Sequence, residues 1–218
     1  MSPQKSSKDA SARERITKII AALAKEYEPV CALTFRNAYE LLIATILSAQ
    51  CTDERVNQVT KILFEKYPDA QSLAAADSDA VEAIVRPTGF FRQKTKSILA
   101  VSQALSEEFG GQVPKEMEAL IHLPGIGRKT ANVVLGTAFG VPAIMVDTHV
   151  KRLSNRLALS DETDPDKIER DLIALVPEEE RTDFSHRLIW HGRKVCQARK
   201  PHCEICSLSA YCPSDESG

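Results

Sequence analysis

Two groups of residues in this sequence have the types and spacing to do chemistry. Four of its six cysteines fall within 17 residues, as Cys196, Cys203, Cys206 and Cys212, in the pattern C-x6-C-x2-C-x5-C. Four thiolates in one short loop repel one another, and a soft metal offsets that charge. Two disulfides are the weaker reading, because the polar N-terminus carries no apolar run to direct secretion. Zinc sites are usually built from two C-x2-C knuckles, whereas only one is present and the outer spacings are unequal. Ligand count alone leaves zinc and an iron–sulfur cluster evenly matched. Cys31 and Cys51 stand apart and read as buried small hydrophobes.

The second group is the string Leu123–Thr130 (LPGIGRKT) with Asp147 eighteen residues after its lysine. Gly125 and Gly127 permit a tight turn with positive φ and close approach of another backbone. The amides of Ile126, Gly127, Arg128 and Thr130 then open a helix, where backbone N–H groups form an anion site suited to a DNA phosphate. Such contact holds the nucleic-acid backbone without reading sequence. Lys129 lies in the first turn of that helix, and a neutral lysine amine attacks aldehyde-like carbon through a Schiff base. The plain alternative is an exposed lysine that binds phosphate. Asp147 precedes Thr148-His149-Val150 at an N-cap position, so capping and catalysis are both open to it.

The elements that must carry these residues read as helical almost throughout. Apolar residues recur at a period near 3.6, giving helices over Ala38–Gln50, from Thr52-Asp53 to Pro68, after Asp77-Ser78, and around Ile98–Leu105 up to Gly110-Gly111. Further helices are expected at Lys115–Ile121, Arg128–Phe139, Asp147–Arg156, Pro165–Leu175 and Asp183–Gly192. Only Val141–Val146 could form a strand, and Pro142 weakens it. The fold class is all-α.

Composition fits that reading. The chain has 218 residues, is 43% hydrophobic and 27% charged, and so lies outside the collagen-like and disordered classes. No run approaches the roughly 18 apolar residues of a membrane span, so a cytoplasmic chain with no membrane partner is expected. The net charge of −2 hides a separation. Residues 161–183 carry a net −7 and the remainder +5, while Ser185–Cys203 has five bases and no acid. A segregated basic face, not the total, governs phosphate contact.

Taken together, LLIATILSAQCTD (Leu41–Asp53), LPGIGRKTANVVLGT (Leu123–Thr137), VDTH (Val146–His149), HGR (His191–Arg193) and the four-cysteine loop resemble the endonuclease III family of DNA glycosylases, within the helix–hairpin–helix superfamily. The resemblance covers about Ala32 to Cys212. It implies two helical lobes flanking a DNA-binding cleft. Residues 31–141 would form a six-helix lobe with the helix–hairpin–helix at about 115–139. Residues 1–30 and 142–218 would form the cluster lobe, with 1–15 disordered.

The resemblance also implies roles. Lys129 matches the Schiff-base lysine. Asp147 matches the aspartate that ends the hairpin–Gly/Pro–Asp element, here running through Gly140 and Pro142. The four cysteines match the ligands of one 4Fe–4S cluster per chain. Gln50 matches the side chain that fills the gap left by an extruded nucleotide. Phe90 falls where relatives carry a smaller aliphatic wedge, with a core aromatic as its alternative. His149 and Arg193 fall in the VDTH and HGR strings and are expected at the DNA. The implied activity is a monomeric glycosylase and abasic-site lyase on duplex DNA bearing an oxidised pyrimidine or abasic site. A bacterial chain would be associated with the nucleoid. The alternatives are a monofunctional adenine-type glycosylase, which would lack the hairpin lysine, and a non-catalytic hairpin module.

Overall fold

The computed structural model describes residues 3–215, with side chains described from residue 12. Among the described residues every regular element is helical, and none is long and apolar enough to cross a membrane. Val141–Val146 is extended but pairs with no strand. The chain divides into two compact units, 31–141 and 1–30 with 142–218.

The first unit is organised on α2 (Ala38–Leu47), whose sequence is apolar on every side. Leu41, Leu42, Ile43, Ala44 and Leu47 have no exposed surface, and burying each large aliphatic side chain contributes about 1.5–3 kcal/mol. Asn37 caps it by accepting from Glu40 N at 2.9 Å. Glu40, itself buried, is held by Arg36 through Nε and the backbone amide, both at 2.7 Å. α3 (Asp53–Lys66), α4 (Ala70–Ala74), α5 (Ser78–Val85), α6 (Phe91–Glu108), α7 (Met117–His122) and α8 (Arg128–Phe139) complete the unit. α8 packs along α2, and its Ala131, Val134 and Leu135 are buried. The helix that begins at the Gly-x-Gly turn is therefore rooted in the core while its N-terminal end faces outward.

Two expectations need correction in this unit. It holds seven α-helices instead of six. The additional one, α4, is a single turn nucleated by a capping box, in which Asp69 and Ser72 bond each other's amides, and five residues are too few to show a period. α2 stops at Leu47, not Gln50, because Ser48 C-caps it and the chain then turns.

The second unit contains α1 (Pro3–Glu26), α9 (Thr148–Arg156), α10 (Pro165–Leu175) and α11 (Arg181–Lys194). Its core gathers Ile16, Ile19 and Leu23 of α1, Val150 and Leu153 of α9, Ile168 and Leu172 of α10, and Phe184 and Leu188 of α11. α1 spans Pro3–Glu26, and Met1 and Ser2 lie outside the described residues. Ala12, Ile16, Ile19, Ile20 and Leu23 form the buried stripe. Arg15 anchors the helix further, donating to Leu157 O (3.0 Å), Tyr211 O (3.0 Å) and Ala158 O (3.3 Å).

Candidate functional site

The hairpin is built from α7, the turn Leu123–Gly127 and α8. Gly125 has φ +74, a backbone that disfavours any side chain. Gly127 differs from expectation: it is the N-cap of α8 with φ −92, and any residue could adopt that backbone. A Cβ at either glycine would meet no protein atom within 4 Å. The Ile126 side chain is buried and its amide donates to Leu123 O at 3.1 Å, so both secure the turn. No side chain caps α8, so its first-turn amides depend on partners outside the helix. Arg128 and Lys129 are exposed in that turn and Thr130 is half-buried.

The same unit carries Gln50 and Phe90. Both are exposed and both have left-handed backbone, at φ 52 and φ 47. For an L-residue that conformation costs roughly 1–2 kcal/mol. Phe90 is 67% exposed, which removes the core-aromatic alternative. Cys51, beside Gln50, and Cys31 are half-buried instead of fully buried.

The other unit carries Asp147, His149, Arg193 and the four cysteines. Asp147 caps α9. Its Oδ1 accepts from His149 N and Val150 N, both at 2.8 Å, while Oδ2 accepts no hydrogen bond from the described residues. One oxygen thus fixes the carboxylate and the other remains available for chemistry. His149 is half-buried, and burial is the main cause that pushes its imidazole down, with Arg152 and Arg193 acting in the same direction and Asp147 opposing them. Arg193 is exposed and stacks over the Trp190 ring at 5.4 Å. Arg187 leaves the expected basic face: its side chain is 12% exposed, pairs with Glu180 and Asp183, and donates to Tyr27 O.

All four C-terminal cysteines line one cavity. Burial pushes the Cys206 and Cys212 thiols up, and the neighbouring thiols push them further in the same direction. Such mutual repulsion is relieved by a cationic group among them. Among the described residues no three His, Cys, Asp or Glu side chains close on a single ion. A single tetrahedral zinc would need all four thiolates about 2.3 Å from one point, an arrangement the described residues do not show. A 4Fe–4S cluster, which offers each cysteine a separate iron, fits.

Sequence reasoning missed the residues that shape this loop. Arg152, on α9, donates to Gly192 O (2.9 Å) and to Cys196 O through Nη2 (2.8 Å) and Nε (3.2 Å), closing the open carbonyl end of α11. Arg156, one turn on, donates to Cys196 Sγ (3.2 Å), Gln197 O (2.7 Å) and Ala198 O (2.9 Å). An i, i+4 arginine pair with no acid at helical spacing was the available signal. His191 is buried, and burial pushes its pKa down to about 4. The neutral ring accepts the Tyr27 hydroxyl at Nδ1 (3.1 Å) and directs Nε2 to Cys206 Sγ (3.4 Å). A cluster-bound thiolate only accepts, so Nε2 carries the proton there.

Gly192 explains the middle of the HGR string. A Cβ there would lie 2.9 Å from His149 Nδ1, 3.0 Å from His149 Cβ and 3.1 Å from Arg152 Nη2. Helix propensity alone favours alanine by about 1 kcal/mol, but the contact with His149 Cβ cannot be relieved by a flexible side-chain end. Gly192→Ala is expected to destabilise by about 1–3 kcal/mol, the range for overpacking, and to lower Tm by several degrees. Thermal unfolding checks this, and a raised Tm would show that α9 and α11 have slack between them.

The comparisons agree with this arrangement. Residues 43–178 match the model of the HhH-GPD superfamily base excision DNA repair protein, and residues 196–212 match the iron-sulfur binding domain of endonuclease III. The chain is 52% identical to the endonuclease III of Synechocystis sp. over 96% of its length and 97% of the relative's. It is 42% identical to that of Escherichia coli over 86% of its length and 89% of the relative's. A solved structure of a trapped endonuclease III–DNA covalent intermediate superposes with a TM-score of 0.89 at 41% identity, covering 93% of this chain and 96% of that one. A non-covalent endonuclease III–DNA complex gives the same TM-score at 42% identity, with the same coverage of both chains. A thermostable thymine-DNA glycosylase, at 24% identity and a TM-score of 0.85 over 96% of this chain and 98% of that one, shares the fold. With hairpin, aspartate and cysteine loop each in place, the chain belongs to the endonuclease III family of base-excision DNA glycosylases and abasic-site lyases, and its C-terminal loop is that family's 4Fe–4S cluster domain.

Proposed function

We propose that this protein removes oxidised pyrimidines from duplex DNA and then cleaves the strand 3′ to the resulting abasic site, acting as a monomer on nucleoid DNA in the cytoplasm. The observation that carries the reading is Lys129: an exposed amine in the uncapped first turn of a helix whose other face is fixed in the core. The damaged nucleotide must leave the stack before its C1′ can be reached, at a cost of a few kcal/mol. Gln50 and Phe90 occupy the space it leaves and offset part of that cost. The hairpin amides and Arg128 hold a phosphate nearby, and Arg193 and His149 contact the backbone from the cluster unit.

Lys129 Nζ donates its lone pair to C1′. The bond from C1′ to the base breaks, the base leaves with the electron pair and takes up a proton, and the sugar opens to an imine on Lys129. Asp147 Oδ2 stabilises the positive charge that develops on the sugar and takes a proton from the lysine. Loss of a C2′ proton then expels the 3′ phosphate by β-elimination, and water hydrolyses the imine to free Lys129. Cys196, Cys203, Cys206 and Cys212 hold the 4Fe–4S cluster, which cross-links the C-terminal loop and lies outside these steps.

Borohydride reduces an imine to a stable amine, so it should trap the protein covalently on an oligonucleotide duplex carrying thymine glycol. A shifted band on a denaturing gel is the expected result. No band from protein that still binds the same duplex would overturn the lyase and leave a monofunctional glycosylase or a hairpin module.

A further inference from the structure

The left-handed backbone at Phe90 is held by a residue with no part in the chemistry. Lys94 N donates to Phe90 O at 3.1 Å, and Lys94 Nζ donates to Thr88 O at 2.7 Å. One residue therefore grips the carbonyls on both sides of Gly89, whose own φ is +69. Thr88 is buried and fixed in turn by its hydroxyl, which donates to Val85 O at 2.8 Å. Lys94 itself is only 5% exposed.

The Cys51 thiol acts electrostatically on the Lys94 amine and opposes the fall in its pKa that burial causes. Cys51 follows Gln50 directly, and its amide closes the Gln50 turn onto Ser48 O at 3.1 Å. α2, which leads into the turn, packs on α6. A buried ammonium in the first turn of a helix is opposed both by desolvation and by the positive end of the helix dipole. An apolar side chain of the same length would suit the packing better, so the amine is present for what it holds.

We propose that Lys94 is a positioning residue for nucleotide extrusion: it fixes the Gly89-Phe90 tip, so that the Phe90 side chain enters the duplex in a set orientation beside Gln50. The inference rests on the reading of Gln50 and Phe90 as the residues that fill the gap. Lys94→Met keeps the length and removes the donor. Lys94→Gln, which keeps a shorter donor, serves if the first variant folds poorly, as judged by circular dichroism.

Extrusion is followed by stopped-flow fluorescence of 2-aminopurine beside thymine glycol, and imine formation by borohydride trapping on a bulged abasic site that is already unstacked. Lys94→Met is expected to slow extrusion roughly tenfold, the scale of one lost buried hydrogen bond to a charged group. Trapping on the bulged site should stay within about twofold. Phe90→Ala should slow extrusion as well, and adding Lys94→Met to it should bring little further loss, because residues acting through one another are not additive. Equal losses on both substrates, or multiplying effects with Phe90→Ala, would overturn the role of Lys94. If Phe90→Ala and Gln50→Ala both leave extrusion at the wild-type rate, the gap-filling reading falls and takes this inference with it.

Discussion

Lys129→Ala is expected to abolish the borohydride-trapped adduct and to lower base excision on the order of 10⁴–10⁶-fold, the scale on which enzymes respond to loss of their nucleophile. The fold should not register the change. Lys129 is exposed, and no hydrogen bond or ion pair joins it to the described residues. Truncation therefore removes no contact, and its effect on stability should stay within about 0.5 kcal/mol. Affinity for duplex DNA should fall only modestly, since one phosphate-facing charge among several is lost. Lys129→Arg separates the two roles of the side chain. It keeps the charge but offers no neutral amine near pH 7, so it should bind like wild type and trap nothing. An adduct formed by Lys129→Arg would show that another amine, such as the N-terminus, attacks the sugar.

Asp147→Asn is expected to lower excision by roughly 10²–10³-fold, the usual effect of removing one fixed charge from a charge-developing step, with Tm unchanged. Asparagine caps a helix about as well as aspartate, so the bonds from His149 N and Val150 N persist while the negative charge disappears. Asp147→Ala removes charge and cap together. It should show the same catalytic loss and a further destabilisation of about 1 kcal/mol, which for a chain of this size is about 2–4 °C in Tm. If the asparagine variant keeps wild-type turnover, Asp147 is a cap alone. Single-turnover excision and thermal unfolding on both variants separate these outcomes.

The period of the helices carried most of the fold class, because it is a local pattern that a single pass along the chain can register. The cysteine spacing pointed to a metal site, and only the family resemblance made that site a 4Fe–4S cluster. α8 follows from apolar spacing in the same way, whereas its packing on α2 does not. What was not legible depended on partners far away in sequence. The buried stripe of α1 is short and set in charged residues, so its partners in α10 and α11 decide its order. Ile126 and Gly127 lay inside a string read as a phosphate contact, but which face of a turn points inward is fixed only once the turn is closed. Arg187 looked like part of a basic face, yet acids one and two turns before it on its own chain neutralise it. Arg152 and Arg156 serve backbone carbonyls some 40 residues downstream, and no local pattern names a carbonyl as an acceptor.

The arrangement of Arg15 also sets an order of events during synthesis. The carbonyls it bonds lie 142, 143 and 196 residues further along the chain. At 5–20 residues per second, α1 leaves the ribosome roughly 7–28 s before the first of these acceptors is made. Residues 31–141 contain all of their own core, so they can close during that wait. The unit with the chain's beginning must meanwhile keep an apolar stripe unpaired, and it gains Tyr211, the last acceptor, only when the fourth cysteine is one residue away. The last backbone acceptor of Arg15 and the last cysteine of the loop are thus completed at the same late moment of synthesis.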